Sequence, residues 1–183
     1  MLFNSLEFIL IFLPILCIIF LLCQKNNSIA LFSLLSGSLV FYSYHNISNL
    51  FLLLFSILFN FFIGQAIFKK KIILVIGIFF NISLIAYFKY SYFIIENINF
   101  LISAPINFEK TALPLGISFF TFQQIAYLVD CYHGNKSENN ITSYALLVSF
   151  FPHSIAGPLV QYKEIAPPDF VTCTKKSLKT LGL

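Results

Sequence analysis

The sequence has 183 residues, of which 58% are hydrophobic and only 10% are charged. An average soluble domain carries about a quarter charged residues, so this composition excludes that class and predicts a protein solvated by lipid. All 11 positive residues are lysines, and tryptophan is absent. Without the phosphate-binding fork of arginine and the stacking of tryptophan, the net charge of +4 does not indicate nucleic acid as a partner.

Long apolar runs separated by lysines and other polar residues predict an all-α fold, a polytopic transmembrane helical bundle. Each run has, or nearly has, the roughly 20 residues that a helical span requires. The six predicted spans cover about residues 6–23, 28–44, 50–68, 72–88, 113–129 and 141–160. Residues 90–110 mix aromatic and polar side chains before and around Pro105. This pattern favours an amphipathic or irregular segment that lies in the membrane interface.

The lysines predict which side of the membrane each loop occupies. With six spans, the loops that hold Lys25, residues 69–71 and Lys136 share one side and contain five lysines, whereas the other side holds Lys89 and Lys110. Positive residues favour the cytoplasm. We therefore expect the first set to be cytoplasmic and the amino terminus to be outside.

Small and polar residues within the spans predict contacts between helices. Ser33 and Gly37 lie four residues apart, a spacing that lets a neighbouring helix approach closely. Asn60 and Asn81 lie in different apolar runs, where an amide needs a hydrogen-bond partner. We expect both asparagines to hydrogen-bond between helices.

The fifth predicted span carries a polar stripe. Gln123, Tyr127 and Asp130 recur at helical spacing and so share one face. Three polar groups on one face should point at protein or water, with Phe122 turned toward lipid or a neighbouring helix. Two interpretations remain open: interhelical hydrogen bonding, or the lining of a cavity.

The three histidines offer one candidate for function. His45 stands at the end of a span, and His133 lies in the polar loop 130–140, so both are interpreted as ordinary polar residues. His153 falls inside an apolar run, where an ionisable residue is a functional candidate by default. The alternative is a neutral histidine bonded to a neighbouring helix. Neither these residues nor the four cysteines have the spacing of a metal site, so no metal is predicted.

Four segments together resemble one family. They are MLFNSLEFILIFLP (1–14), IAYFKY (85–90), LPLGISFFTFQQIAYLVD (113–130) and SFFPHSIAGP (149–158). These segments resemble the amino-terminal part of the membrane-bound O-acyltransferases. The branch is the bacterial one that contains the alginate O-acetylation and peptidoglycan O-acetyltransferase proteins. The resemblance covers about residues 1–168.

The resemblance implies a function for the complete protein. Family members lie in the bacterial cytoplasmic (inner) membrane and transfer an acyl group, usually acetyl, from a donor such as acetyl-CoA. The acceptor is an extracytoplasmic polysaccharide, and a periplasmic or extracellular acyltransferase is the usual partner. No cofactor is bound. Gln123, Tyr127, Asp130 and His153 are candidate cavity or supporting residues.

Two departures from the family pattern matter. The histidine regarded as catalytic lies in a later apolar segment, so this chain holds no catalytic residue and is expected to be inactive alone. Residues 169–183 do not resemble the family's continuation, and we interpret them as a non-family tail, such as a frameshift would produce. A non-catalytic membrane fragment that docks to a partner is the alternative function. A channel or transporter element has less support, because no inverted repeat is present.

Overall fold

The structure is a computed structural model that describes residues 6–23, 26–67, 69–102, 113–134 and 140–150. Every regular element within these ranges is helical. The helices are α1 (Leu13–Cys23), α2 (Asn27–His45), α3 (Ile47–Ala66), α4 (Lys71–Ile85), α5 (Ser91–Ile102), α6 (Ile117–Tyr132) and α7 (Ile141–Ser149). Segments with π-helical hydrogen bonding precede α1 at Phe8–Phe12 and join α4 to α5 at Ala86–Tyr90. The predicted all-α class is confirmed for this part of the chain.

Asparagine side chains cap the amino-terminal ends of three of the helices. Asn26 Oδ1 accepts a hydrogen bond from Ser28 N at 3.2 Å before α2. Asn46 Oδ1 accepts one from Ser48 N at 2.9 Å before α3, and Asn140 caps α7 in the same manner at 3.0 Å. Each cap satisfies one of the backbone N–H groups that a helix leaves free at its start. The polar breaks between the apolar runs are therefore also signals for helix initiation.

Within the described ranges, two helices are long and apolar enough to cross a bilayer. They are Ile47–Ala66, with 20 residues, and Lys71–Phe100, with 30 residues. The helices at Phe8–Cys23 and Ser28–Tyr44 are apolar but shorter. The described part therefore contains apolar membrane-type helices. The six-span arrangement as a whole stays a prediction.

The predicted break at Lys89 is wrong. The helix that begins at Lys71 continues through the π-helical segment into α5, where an interfacial segment had been expected to begin at Tyr90. No glycine or proline stands between Gly77 and Pro105, so nothing in the backbone chemistry ends the helix at a lysine. Residues 103–110 of that predicted segment lie outside the described ranges.

The last two helices are shorter than the predicted spans. Helix α6 begins at Ile117, because Gly116 before it adopts a left-handed backbone conformation with φ of 67°. Helix α7 ends at Ser149, and Phe150 has an extended ψ of 103°. Pro152 follows two residues later, and a proline has no backbone N–H to continue the hydrogen bonding of a helix. Residues 151–160 lie outside the described part.

The core lies where α2, α3, α6 and α7 pack together, and α4 joins it by packing along α6. Its most deeply buried large side chains include Phe41, Tyr42, Leu53, Ile57, Phe120, Tyr127, Leu128 and Tyr144. The predicted close contact at Gly37 is confirmed, because a Cβ there would clash with the Leu16 side chain of α1. Ser33, the other member of the pair, is buried. Helix α3 packs against α2, α4, α6 and α7, and α6 packs against α3, α4 and α7.

Candidate functional site in the polar interior around α6

Four polar side chains from three helices form a network inside the apolar bundle. Ser56 and Asn60 come from α3, Asn81 from α4 and Gln124 from α6, and each is 0% exposed. Helices α3, α4 and α6 also pack pairwise against one another. Buried polar groups are tolerated at such depth only when they bond to one another or to backbone.

Asn60 is the centre of this network. Its Nδ2 donates to Gln124 Oε1 at 2.9 Å and to Asn81 Oδ1 at 3.3 Å. Asn81 Nδ2 donates back to Asn60 Oδ1 at 2.6 Å, and Ser56 Oγ donates to Gln124 Oε1 at 2.7 Å. The prediction that Asn60 and Asn81 hydrogen-bond between helices is confirmed.

Backbone carbonyls complete the network. Asn60 Nδ2 donates to Ser56 O at 2.9 Å, and Asn81 Nδ2 donates to Gly77 O at 2.8 Å. Each of these acceptors lies four residues earlier on the same helix as its donor. The backbone therefore holds both amides in position for the contacts between helices.

Two glycines let α6 approach its neighbours closely. A Cβ on Gly64 of α3 would lie 2.5 Å from Cε1 and 2.7 Å from Oη of Tyr127. A Cβ on Gly77 of α4 would lie 2.6 Å from Leu128 Cδ1. Neither distance leaves room for a methyl group unless the neighbouring side chain shifts, which the flexible end of Leu128 can do more easily than the Tyr127 ring. Tyr127 and Leu128 therefore fit against α3 and α4 at fixed points.

The predicted stripe on α6 has the orientation expected. Gln123 is 4% exposed and Tyr127 is 2% exposed, whereas Phe122 is 52% exposed. Asp130, near the end of the helix, is partly exposed. The stripe faces the bundle interior, but its role as the lining of a cavity stays a prediction.

Several buried polar atoms have no hydrogen-bond partner within the described ranges. They are Gln123 Oε1 and Nε2, Gln124 Nε2 and the hydroxyl of Tyr144. Tyr144 of α7 packs against Tyr127 with ring centroids 4.3 Å apart and the rings tilted by 40°, so α7 contacts α6 at Tyr127. The two neighbouring glutamines thus differ: the Gln124 amide oxygen accepts two bonds, and the Gln123 amide has none.

The remaining predicted candidates do not join this site. His153 lies outside the described residues, and His133 is exposed just after α6. Within the described ranges, no three His, Cys, Asp or Glu side chains lie close enough to hold a metal ion. The sequence interpretation did not include Ser56 or Gln124. The four-residue spacing of Ser56 and Asn60 was the signal that could have found Ser56.

Comparison with known proteins gives relatives over most of the chain. Over 91% of its length it is 36% identical to the peptidoglycan O-acetyltransferase of Helicobacter pylori, of which it covers 38%. Over 90% of its length it is 33% identical to the protein named "Probable alginate O-acetylase AlgI" of Pseudomonas aeruginosa, of which it covers 34%. The resemblance to the bacterial membrane-bound O-acyltransferases is confirmed.

The match covers most of this chain but only part of each relative. The chain is also 31% identical to the protein of the same name from Azotobacter vinelandii, of which it covers 35%. It therefore spans about a third of the length of the curated relatives that it matches. No protein-family model matches the chain, and no solved structure matches it.

Proposed function

We propose that these residues form the amino-terminal, membrane-embedded part of a bacterial O-acyltransferase that acetylates an extracytoplasmic polysaccharide. The observation that carries the proposal is the similarity over nine tenths of the chain to relatives named as O-acetylating proteins of peptidoglycan and alginate. The apolar helices and the neutral polar network around α6 support it, because they suit a scaffold within a membrane.

The proposed reaction is the transfer of an acetyl group from acetyl-CoA to a hydroxyl group. The thioester bond of the donor breaks and an ester bond forms, while the hydroxyl proton passes through a base to the departing thiolate. A histidine suits this role because its pKa lies near neutrality. We assign that base to a part of the transferase beyond these residues. We assign the final delivery to the polymer to a periplasmic or extracellular partner.

The proposed location is the cytoplasmic membrane, crossed by six spans of this segment. The two helices long enough to cross a bilayer and the two shorter apolar helices support a multi-pass arrangement. We place the Lys69–Lys71 turn in the cytoplasm by the positive-inside rule. Replacing Lys70 with cysteine in a background without Cys17, Cys23, Cys131 and Cys173 tests this assignment. An impermeant thiol reagent should label position 70 only after the cells are opened, and ready labelling in intact cells would refute the topology.

Deletion of the gene tests the activity. We expect the ester-linked acetyl content of the envelope polysaccharides to fall, and the intact gene to restore it. Residues 1–183 expressed alone should reach the membrane without restoring acetylation, because the base is assigned elsewhere. If the deletion leaves acetylation of every envelope polymer unchanged, the transferase proposal is wrong. Restoration by residues 1–183 alone would instead show that the base lies within this chain.

A further inference from the structure

Three contacts fix the rotation of α6 about its own axis. Gln124 Oε1 is held by Ser56 and Asn60, the Tyr127 ring packs against Gly64, and Leu128 packs against Gly77. These contacts involve two neighbouring helices and extend over more than one turn of α6. A rotation that brought Gln123 out of the bundle would break all three. The position of the Gln123 amide is therefore set by the packing and not by bonds of its own.

Keeping Gln123 inside has an energetic cost. Its amide is 4% exposed, and within the described ranges neither Oε1 nor Nε2 has a partner. An amide buried without partners destabilises a protein, and an apolar side chain of the same size would not. Unpaired buried polar groups in a native structure call for an explanation, and binding sites are where such groups are used.

The surroundings select an uncharged ligand. Within the described ranges the buried polar side chains, apart from tyrosine and cysteine, are all serine, threonine, asparagine or glutamine. No buried aspartate, glutamate, lysine or histidine is present in those ranges to compensate a charge. A buried charge without compensation is far more costly than a neutral polar group.

We propose that Gln123 binds a neutral hydrogen-bonding group of one substrate of the transfer, with its amide as donor and acceptor and with Gln124 as the residue that positions it. This inference rests on the proposed transferase function. The group is an amide or a hydroxyl, and two sources carry that chemistry: the amide-bearing arm of the acyl donor and the hydroxyl groups of the acceptor. Gln123 is thus a substrate-binding residue, and the network around Asn60 is its support.

The test uses the intact transferase together with its acyltransferase partner, both purified in detergent, with Gln123→Met as the main variant. Methionine keeps the length of glutamine and lacks its polar atoms. We expect the KM of one substrate to rise about three- to tenfold with little change in kcat, as the loss of one or two neutral hydrogen bonds predicts. Acetyl-CoA is varied at fixed polysaccharide, and then polysaccharide at fixed acetyl-CoA. The substrate whose KM rises identifies the source of the group.

Thermal unfolding separates this role from a structural one. Gln123→Met should unfold at the same temperature as the unmodified protein or higher, because it removes an unpaired amide. Gln124→Met should unfold at a lower temperature, because it leaves Ser56 and Asn60 without their acceptor. Phe122→Leu, on the exposed face, is the control and should change neither KM nor the unfolding temperature.

The outcomes are distinguishable. If the unmodified protein transfers acetyl and Gln123→Met has the same two KM values as Phe122→Leu, the binding role is refuted and the transferase function stands. If Gln123→Met is destabilised as strongly as Gln124→Met, the amide has an internal partner and the binding role is again refuted. If the unmodified protein and its partner together transfer no acetyl group, both proposals are wrong.

Discussion

Two neighbouring residues of α6, Gln123 and Gln124, carry the same side-chain amide but differ in its hydrogen bonding. On the face that meets α3 and α4, the Gln124 carbonyl oxygen accepts hydrogen bonds at 2.7 and 2.9 Å. At the next residue back along the chain, Gln123 is 4% exposed, and neither polar atom of its amide has a partner within the described ranges. One residue along the chain separates a group that holds the helices together from a group that does not.

This difference teaches that burial alone does not identify a structural residue. The Gln124 face gains stability from each bond, so it can tolerate little change. The Gln123 face loses stability to its unpaired amide, so its polar character is explained by something other than folding. Variants on the two faces should therefore have effects of opposite sign on stability, and the following predictions test the bonded face.

The largest effect is expected for Asn60→Leu. This change removes the centre of the network, leaves Asn81 Oδ1 without its donor and leaves Gln124 Oε1 with Ser56 alone. We expect a loss of about 2 kcal/mol in the free energy of unfolding, because unsatisfied buried groups cost about 1–3 kcal/mol each. The measurement is thermal or denaturant unfolding of the purified protein in detergent.

Asn97→Leu is the matched control, because Asn97 is exposed on α5 and bonds only within its own helix. A change below about 0.5 kcal/mol is expected there. The cost of Asn60→Leu should also be the same at pH 6 and pH 8 and at low and high salt, since the network holds no charged group. A strong dependence on salt would mean that ionic contacts, and not the amides, hold the three helices.

The next largest effect is expected for Gly64→Ala. The added methyl group would lie 2.5 Å from the Tyr127 ring, which is itself packed against the Tyr144 ring at a centroid distance of 4.3 Å and cannot easily move. Overpacking of this kind costs about 1–3 kcal/mol. Gly77→Ala is the comparison, because there the clash at 2.6 Å is with the flexible end of Leu128. If Gly77→Ala proves more costly than Gly64→Ala, the close contact of α6 with α3 is not the tighter of the two.

The smallest effect is expected for Ser56→Ala. It removes one of two donors to Gln124 Oε1 and leaves the bond from Asn60 in place. Hydrogen bonds between membrane helices average about 0.6 kcal/mol, and we expect a loss near that value. Ser83→Ala is the control, because Ser83 is exposed and bonds only to the backbone of its own helix. Equal losses in the two variants would show that the oxygen of Gln124 needs only one donor.

The sequence predicted those parts of the fold that depend on single helices. The rotation of α6 followed from the spacing of Gln123 and Tyr127, because a polar stripe in an apolar helix has only the interior to face. The pairing of Asn60 with Asn81 followed from the same reasoning. Both predictions required only the premise that apolar lipid surrounds the helices, so that polar side chains turn inward.

The parts that were missed depend on several helices at once. The bond of Gln124 to Ser56 joins residues 68 positions apart, and no local pattern distinguishes Gln124 from Gln123. The continuation of the helix past Lys89 was missed for a different reason. A lysine was interpreted as the end of a span, although its long side chain can extend toward water while the backbone remains helical.

The unbroken helix from Lys71 to Phe100 has a mechanical consequence. At 1.5 Å per residue its 30 residues extend about 45 Å, whereas the hydrocarbon core of a bilayer is about 30 Å thick. Such a rod must either tilt or project into the headgroup layer, and its tilt responds to the thickness of the surrounding lipid. Its first half is tied to α3 and α6 through Asn81 and Asn60. A change in the tilt of this helix would therefore bear on α6, which carries Gln123, through the packing of α4 against α6.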